Sequence, residues 1–173
     1  MQDKVHIYRR LAVILLFLTI GLIESKAQRL AVSTNLVDYV TLSPNLELDL
    51  SLNQHNSISL SASVTPWNVY KNFSITQLSL SPEYKHWFKI PYYGHYVGAN
   101  IKVASYEIMW GSNVLDANLL AAGVTYGYSI IISKKWNIVP NIGLGLGANF
   151  EGPKIKLVPA ITKFGLNIQM VVR

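Results

Sequence analysis

The sequence predicts an all-β chain: a single antiparallel up-and-down β-barrel of about eight strands, of the transmembrane type. Three observations predict it. Apolar residues recur at every second position through most of the chain, the pattern of a strand with one apolar face. No segment after residue 28 carries a helical period. The chain is 50% hydrophobic and only 14% charged, against about 25% charged in a typical soluble domain. A barrel with outward apolar side chains alternating with interior ones accounts for all three.

Residues 1–28 read as an export signal. Lys4, Arg9 and Arg10 precede an uncharged apolar run over 11–23, and Ser25-Lys26-Ala27 places small residues at a cleavage site. That run is short of the roughly 20 apolar residues a membrane-spanning helix needs. The expected organisation is a cleaved signal peptide over 1–27 and a barrel domain over 28–173, delivered to the outer membrane. The 146 residues that remain suffice for one domain. They carry eleven Lys/Arg against seven Asp/Glu, and no basic run longer than Lys134-Lys135, which argues against nucleic acid as a partner. The absence of cysteine excludes disulfides, thiolate metal sites and a cysteine nucleophile.

The strands are expected near 29–38, 44–53, 56–66, 73–87, 95–109, 118–132, 135–150 and 159–172. In the second, Leu46, Leu48, Leu50 and Leu52 alternate with Glu47, Asp49, Ser51 and Asn53. In the third, Ile58, Leu60, Ala62 and Val64 alternate with serines. A slip of phase between Ile75 and Leu78 predicts a bulge in the fourth strand. In the seventh, Ile142, Leu144 and Leu146 alternate with Gly143, Gly145 and Gly147. In the last, Phe164, Leu166, Ile168 and Met170 alternate with Gly165, Asn167 and Gln169. Even-numbered connections such as 53–56 and 133–135 are short, as periplasmic turns are. The odd-numbered ones are also short for external loops.

The second face decides between a membrane barrel and a soluble one. It is mostly Ser, Gly, Asn and Thr, where a soluble barrel would show many Lys and Glu. Eight strands leave an interior that side chains can just fill, and Tyr96 and Tyr106 are in phase to help fill it. Trp67, Trp87, Trp110 and Trp136 lie near strand ends and are the expected interfacial aromatics.

Several motifs then resemble one family in order along the chain. These are Thr34-Asn35-Leu36-Val37-Asp38 with Ser43-Pro44-Asn45-Leu46-Glu47, Glu83-Tyr84-Lys85-His86-Trp87-Phe88, Gly94-His95-Tyr96-Val97-Gly98, and Ala122-Gly123-Val124-Thr125-Tyr126-Gly127-Tyr128-Ser129. Together they resemble a Bacteroidota family of uncharacterised outer-membrane β-barrel proteins, a domain of unknown function. Val37 stands where that family often has Tyr, and the loops here are shorter. The resemblance implies an outer-membrane barrel, in some cases encoded near fimbria-like adhesin genes. It implies no established activity.

Candidate chemistry is sparse, and no cofactor motif is read. Gly143-Leu144-Gly145-Leu146-Gly147 lies in a strand pattern and opens no helix, so it is not a nucleotide loop. His86 and His95 flank one connection with Glu83 nearby, but a third metal ligand is lacking and interfacial polar residues are the favoured reading. His55 and Ser57 share a strand parity, which keeps open a lipid-modifying hydrolase. More is expected of Glu47, Asp49 and Lys102, with Lys85, as an interior charge network that fixes the barrel and blocks conduction, because a charge inside a narrow barrel must be paired. Lys102→Ala is then expected to destabilise more than Lys154→Ala. The function expected is non-enzymatic, structural or accessory at the envelope, with outer-membrane lipid and envelope or fimbria-like proteins as partners. A soluble periplasmic barrel with an apolar ligand is the alternative.

Overall fold

The computed structural model describes residues 29–65, 73–110, 113–151 and 154–172. Residues 1–27, where a signal peptide is expected, lie outside them with Gln28 and Trp67, as do the side chains of Tyr106, Trp110 and Lys154. Eight strands follow in chain order: β1 Leu30–Asn35, β2 Asn45–Ser51, β3 Asn56–Thr65, β4 Phe73–Trp87, β5 Gly94–Trp110, β6 Asn113–Ile131, β7 Trp136–Glu151 and β8 Lys154–Val172. A 3-10 helix, Asp38–Thr41, sits between β1 and β2. Each strand pairs antiparallel with its neighbour, and β1 pairs with β8, so the sheet closes. Closure removes the unpaired edges that an open sheet would leave.

The strands are unequal. β1 to β3 have 6, 7 and 10 residues, whereas β6 and β8 have 19 each. β6 and β8 begin five residues earlier than their alternation suggested, at Asn113 and Lys154. The excess stands at the end opposite the chain termini, called the rim end below. The terminal end carries the connections 52–55, 88–93 and 132–135 and is called the turn end.

The usual arrangement of inside and outside is inverted. Leu46, Leu48, Ile58, Leu60, Leu144 and Leu146 all face outward and are exposed. Buried instead are Glu47, Asp49, Glu83, Lys85 and a set of serines. Ser57, Ser59 and Ser61 line the interior of β3, and Ser79 and Ser81 that of β4. Their small side chains leave room for long charged ones. An apolar outer surface of this extent is foreign to a soluble monomer, whose apolar patches rarely exceed a few hundred Å².

Two prolines interrupt the ladder locally. Pro82 has no N–H to give, and β4–β5 pairing skips Ser81 and Pro82. Pairing of β6 with β7 skips the step that includes Pro140. The bulge is not in β4, where register is unbroken from Phe73 through Leu80. It lies in β8 instead: Gly143 pairs with Lys163 but Leu144 pairs with Ile161, leaving Thr162 as the extra residue.

Candidate functional site

The interior ion network is built from three strands. β2 contributes Glu47 and Asp49, β4 contributes Glu83 and Lys85, and β8 contributes Lys163. Alternation aims each inward, since i and i+2 share a strand face. Lys85 Nζ donates to Glu47 Oε1 at 2.6 Å and to Asp49 Oδ2 at 2.5 Å. Lys163 Nζ lies 2.6 Å from Glu83 Oε2 and 2.9 Å from Glu47 Oε2. Asn167 Nδ2 donates to Glu47 at 3.2 Å. Glu47 is thereby shared between the two lysines, and Glu83 lies 3.8 Å from Lys85 as well. Gly98, paired with Lys85 on β5, leaves room for the neighbouring Glu83: a Cβ there would collide with the Glu83 carboxylate.

The bulge explains how Lys163 comes to belong. Along β8, Leu157, Pro159 and Ile161 face outward, and so do Phe164 and Leu166. Both Thr162 and Lys163 therefore lie on the interior side. In an unbulged pleat that kept Thr162, Lys163 would share the parity of Ile161 and point outward. A bulge re-aims a side chain in this manner. Gly143, opposite the bulge, has no room for a Cβ against Thr162 and Thr125.

Below the ions, toward the turn end, aromatic residues close the barrel. Trp87 is 1% exposed, with Tyr96 at 4.7 Å and Tyr92 at 5.8 Å between ring centroids. Trp87 Nε1 donates to Ser57 Oγ at 3.0 Å. Tyr96 also carries Lys85 Nζ 5.3 Å over its ring, a geometry suited to a cation–π contact. Tyr92 arrives from a loop. Ile90, Pro91, Tyr92 and Tyr93 form a turn closed by Tyr93 N–H to the Ile90 carbonyl. Tyr92 has φ +69°, at the position where a type II turn prefers Gly. Its hydroxyl lies 2.7 Å from the Arg29 carbonyl and 3.0 Å from that of Asp49. Ser129 and Asn137 donate to the Tyr92 carbonyl. Burial, and then the Asp49 carboxylate, push the Tyr92 phenol well above its ordinary range, so it stays a neutral donor.

These positions correct parts of the sequence reading. Trp87 is not interfacial but interior: it is in phase with Glu83 and Lys85, not with Phe88, which faces out. Trp136 is exposed at the turn end. Glu47 and Asp49 take their lysine contacts from Lys85 and Lys163, not Lys102. Lys102 stands one layer nearer the rim than Asn100, the residue that pairs with Glu83. Its charged neighbour is Asp38 of the 3-10 helix. Lys102, Asp38, Glu47 and Lys163 share the wall of a polar cavity of about 70 Å³. Asp38 itself is half-buried, and burial raises its pKa against the opposing pull of Lys102 and Asn35.

The histidines are dispersed. His86 Nδ1 is 2.8 Å from Asn56 Oδ1, and His95 Nδ1 is 2.5 Å from the Tyr126 hydroxyl. Glu83 points to the opposite face, and no cluster of three metal-ligating residues occurs among the described residues. His55 is exposed in a turn and stacks on His86, whereas Ser57 is buried against Trp87. The nucleophile–base pair does not form.

A family model described as "Protein of unknown function (DUF3575)" matches residues 12–156. The chain belongs to this family. It is also similar to the crystal structure of Neisserial surface protein A (NspA), at 11% sequence identity and a TM-score of 0.47, over 83% of this chain and 94% of that chain. No curated protein matches it.

Proposed function

We propose that this DUF3575 protein is a small outer-membrane β-barrel that is closed to conduction and serves as a structural or accessory component of the envelope. The inversion of its faces carries the reading. Large aliphatic side chains cover the outside, with Val124 at 69% and Leu146 at 64% exposure, while charges and serines fill the inside. Such an exterior is stable against acyl chains and costly against water, at roughly 25 cal/mol per Å² of apolar surface. The alternative of a soluble barrel with an apolar ligand needs the opposite: an apolar interior. Here the lumen is polar and occupied by the ion network and by Trp87, Tyr92 and Tyr96. Closure to ions follows from the same occupancy.

An accessory role fits a chain with exposed apolar walls, a blocked lumen and strands that continue past the roughly 9–11 residues a bilayer crossing requires. β4 to β8 extend past β1 to β3 at the rim end, which faces outward from the cell if the termini are periplasmic. A projecting sheet of this kind offers a platform for an envelope or surface-appendage protein. Two measurements test the reading. The protein should stay in the membrane pellet after high-salt and carbonate washes, and after reconstitution into planar bilayers it should give no conductance steps. Release by the washes would contradict membrane insertion. Regular conductance steps would contradict closure.

A further inference from the structure

A groove runs along the outside of β5, and its two ends differ in chemistry. Val97, Ala99 and Ile101 are successive outward residues of β5, and the smallest, Ala99, forms the floor. Tyr84 of β4 and Val124 of β6 flank it in register, with Tyr126 and His86 completing the walls one step nearer the turn end. This hollow measures about 580 Å³. It adjoins a second apolar hollow of about 740 Å³ that shares Tyr84 and Ala99 and includes Pro82 and Ala122. The gap in the β4–β5 ladder at Pro82 and the small side chains of Ala99 and Ala122 interrupt an otherwise bulky aliphatic wall. Each hollow falls within the roughly 300–1,000 Å³ typical of small-molecule sites.

The turn end of the groove is polar. His86 lines it, and His95 bonds to Tyr126 and packs on Tyr128 at 4.4 Å between ring centroids. Lys89 lies just beyond, its Nζ 5.2 Å over the Tyr93 ring. Charge at this end has one sign. Arg29, Lys89, Lys134 and Lys135 occupy its described turns and terminus, and no carboxylate does. A cationic surface at an interface attracts anionic lipid headgroups, and tyrosine at such a level is a usual interfacial anchor.

We propose that this flank of the barrel seats one anionic glycerophospholipid, an acyl chain lying over Ala99 between Tyr84 and Val124 and the phosphate meeting His86 and His95. The inference rests on the membrane reading above and adds a ligand to it. Phosphatidylglycerol and, separately, phosphatidylcholine are added to detergent-solubilised protein and scored by native mass spectrometry. One phosphatidylglycerol should be retained, with a preference over phosphatidylcholine of about tenfold. Ala99→Phe, which fills the floor, should lower retention by about tenfold or more, whereas Leu157→Phe on the outer face of β8 should leave it unchanged. Both variants are first shown to be folded by their gel mobility before and after boiling. Equal binding of the two lipids, or undiminished binding by folded Ala99→Phe, overturns the site while leaving membrane insertion intact. A protein that needs no detergent to stay in solution overturns the membrane reading and this site with it.

Discussion

Thr162 and Lys163 are consecutive in β8, yet both lie on the interior side of the barrel. The bulge that permits this turns Lys163 inward and gives the shared carboxylate of Glu47 its second lysine. Deleting Thr162 should restore the regular pleat and keep Lys163 inward, between outward Ile161 and Phe164, so the variant should refold in detergent. Lys163→Met strands the Glu83 carboxylate, which loses its 2.6 Å partner. Removing one partner of a buried ion pair costs about 3–5 kcal/mol. Lys163→Met should therefore unfold at lower urea than the Thr162 deletion.

Lys85 should matter more than Lys102. Lys85 contacts Glu47 and Asp49 within 2.6 Å and is almost fully buried. Removing one partner of a buried ion pair costs about 3–5 kcal/mol, because the other charge is stranded. Lys85→Met should therefore lower the urea midpoint far more than Lys102→Met, whose charge faces half-buried Asp38 across a polar cavity. Equal midpoints would remove the network from its role.

The Tyr92 plug should be held against backbone strain. A left-handed conformation costs a non-glycine residue about 1–2 kcal/mol, and Tyr92 adopts one at φ +69°. Tyr92→Gly relieves that strain but vacates the space between Trp87 and the Arg29 and Asp49 carbonyls. Truncating a large buried aromatic costs about 3–5 kcal/mol, so the net effect should be destabilising by about 1–4 kcal/mol. Tyr93→Gly, at an exposed neighbour, should change little. Urea titrations of the two variants separate these outcomes.

Asp38 should give a pH signature. Its folded pKa is raised above 3.8 by burial. The neutral form is thus favoured by folding, and the stability it contributes is fully present below pH 3.8 and lost as pH rises through the folded value. Asp38→Asn should be more stable than wild type at neutral pH, and the difference should shrink as the pH falls through that window. A difference that is flat with pH would assign Asp38 no such contribution.

The alternation of apolar and polar residues was enough to read the barrel, the eight strands and the inward aim of Glu47, Asp49 and Tyr96, because the period of a pleat is local. The contact partners were not local. Lys85 and Lys163 meet Glu47 from β4 and β8, and only barrel closure decides which inward residues share a layer. Lys163 left one trace in the sequence: the apolar phase changes between Ile161 and Phe164. A similar change at Ile75 and Leu78 suggested a bulge in β4, where the register proves continuous. Trp87 was read as interfacial from its place at a strand end, although its parity with Glu83 and Lys85 pointed inside. Tyr92 gave no periodic signal, since a turn after Pro91 folds it into the lumen.

The central claim is a closed barrel seated in the outer membrane. Its most direct test is to fractionate the cell envelope and run the protein on SDS gels with and without boiling. The expected result is a band confined to the outer-membrane fraction whose mobility changes on boiling. Recovery from the soluble periplasm with no change of mobility would contradict it.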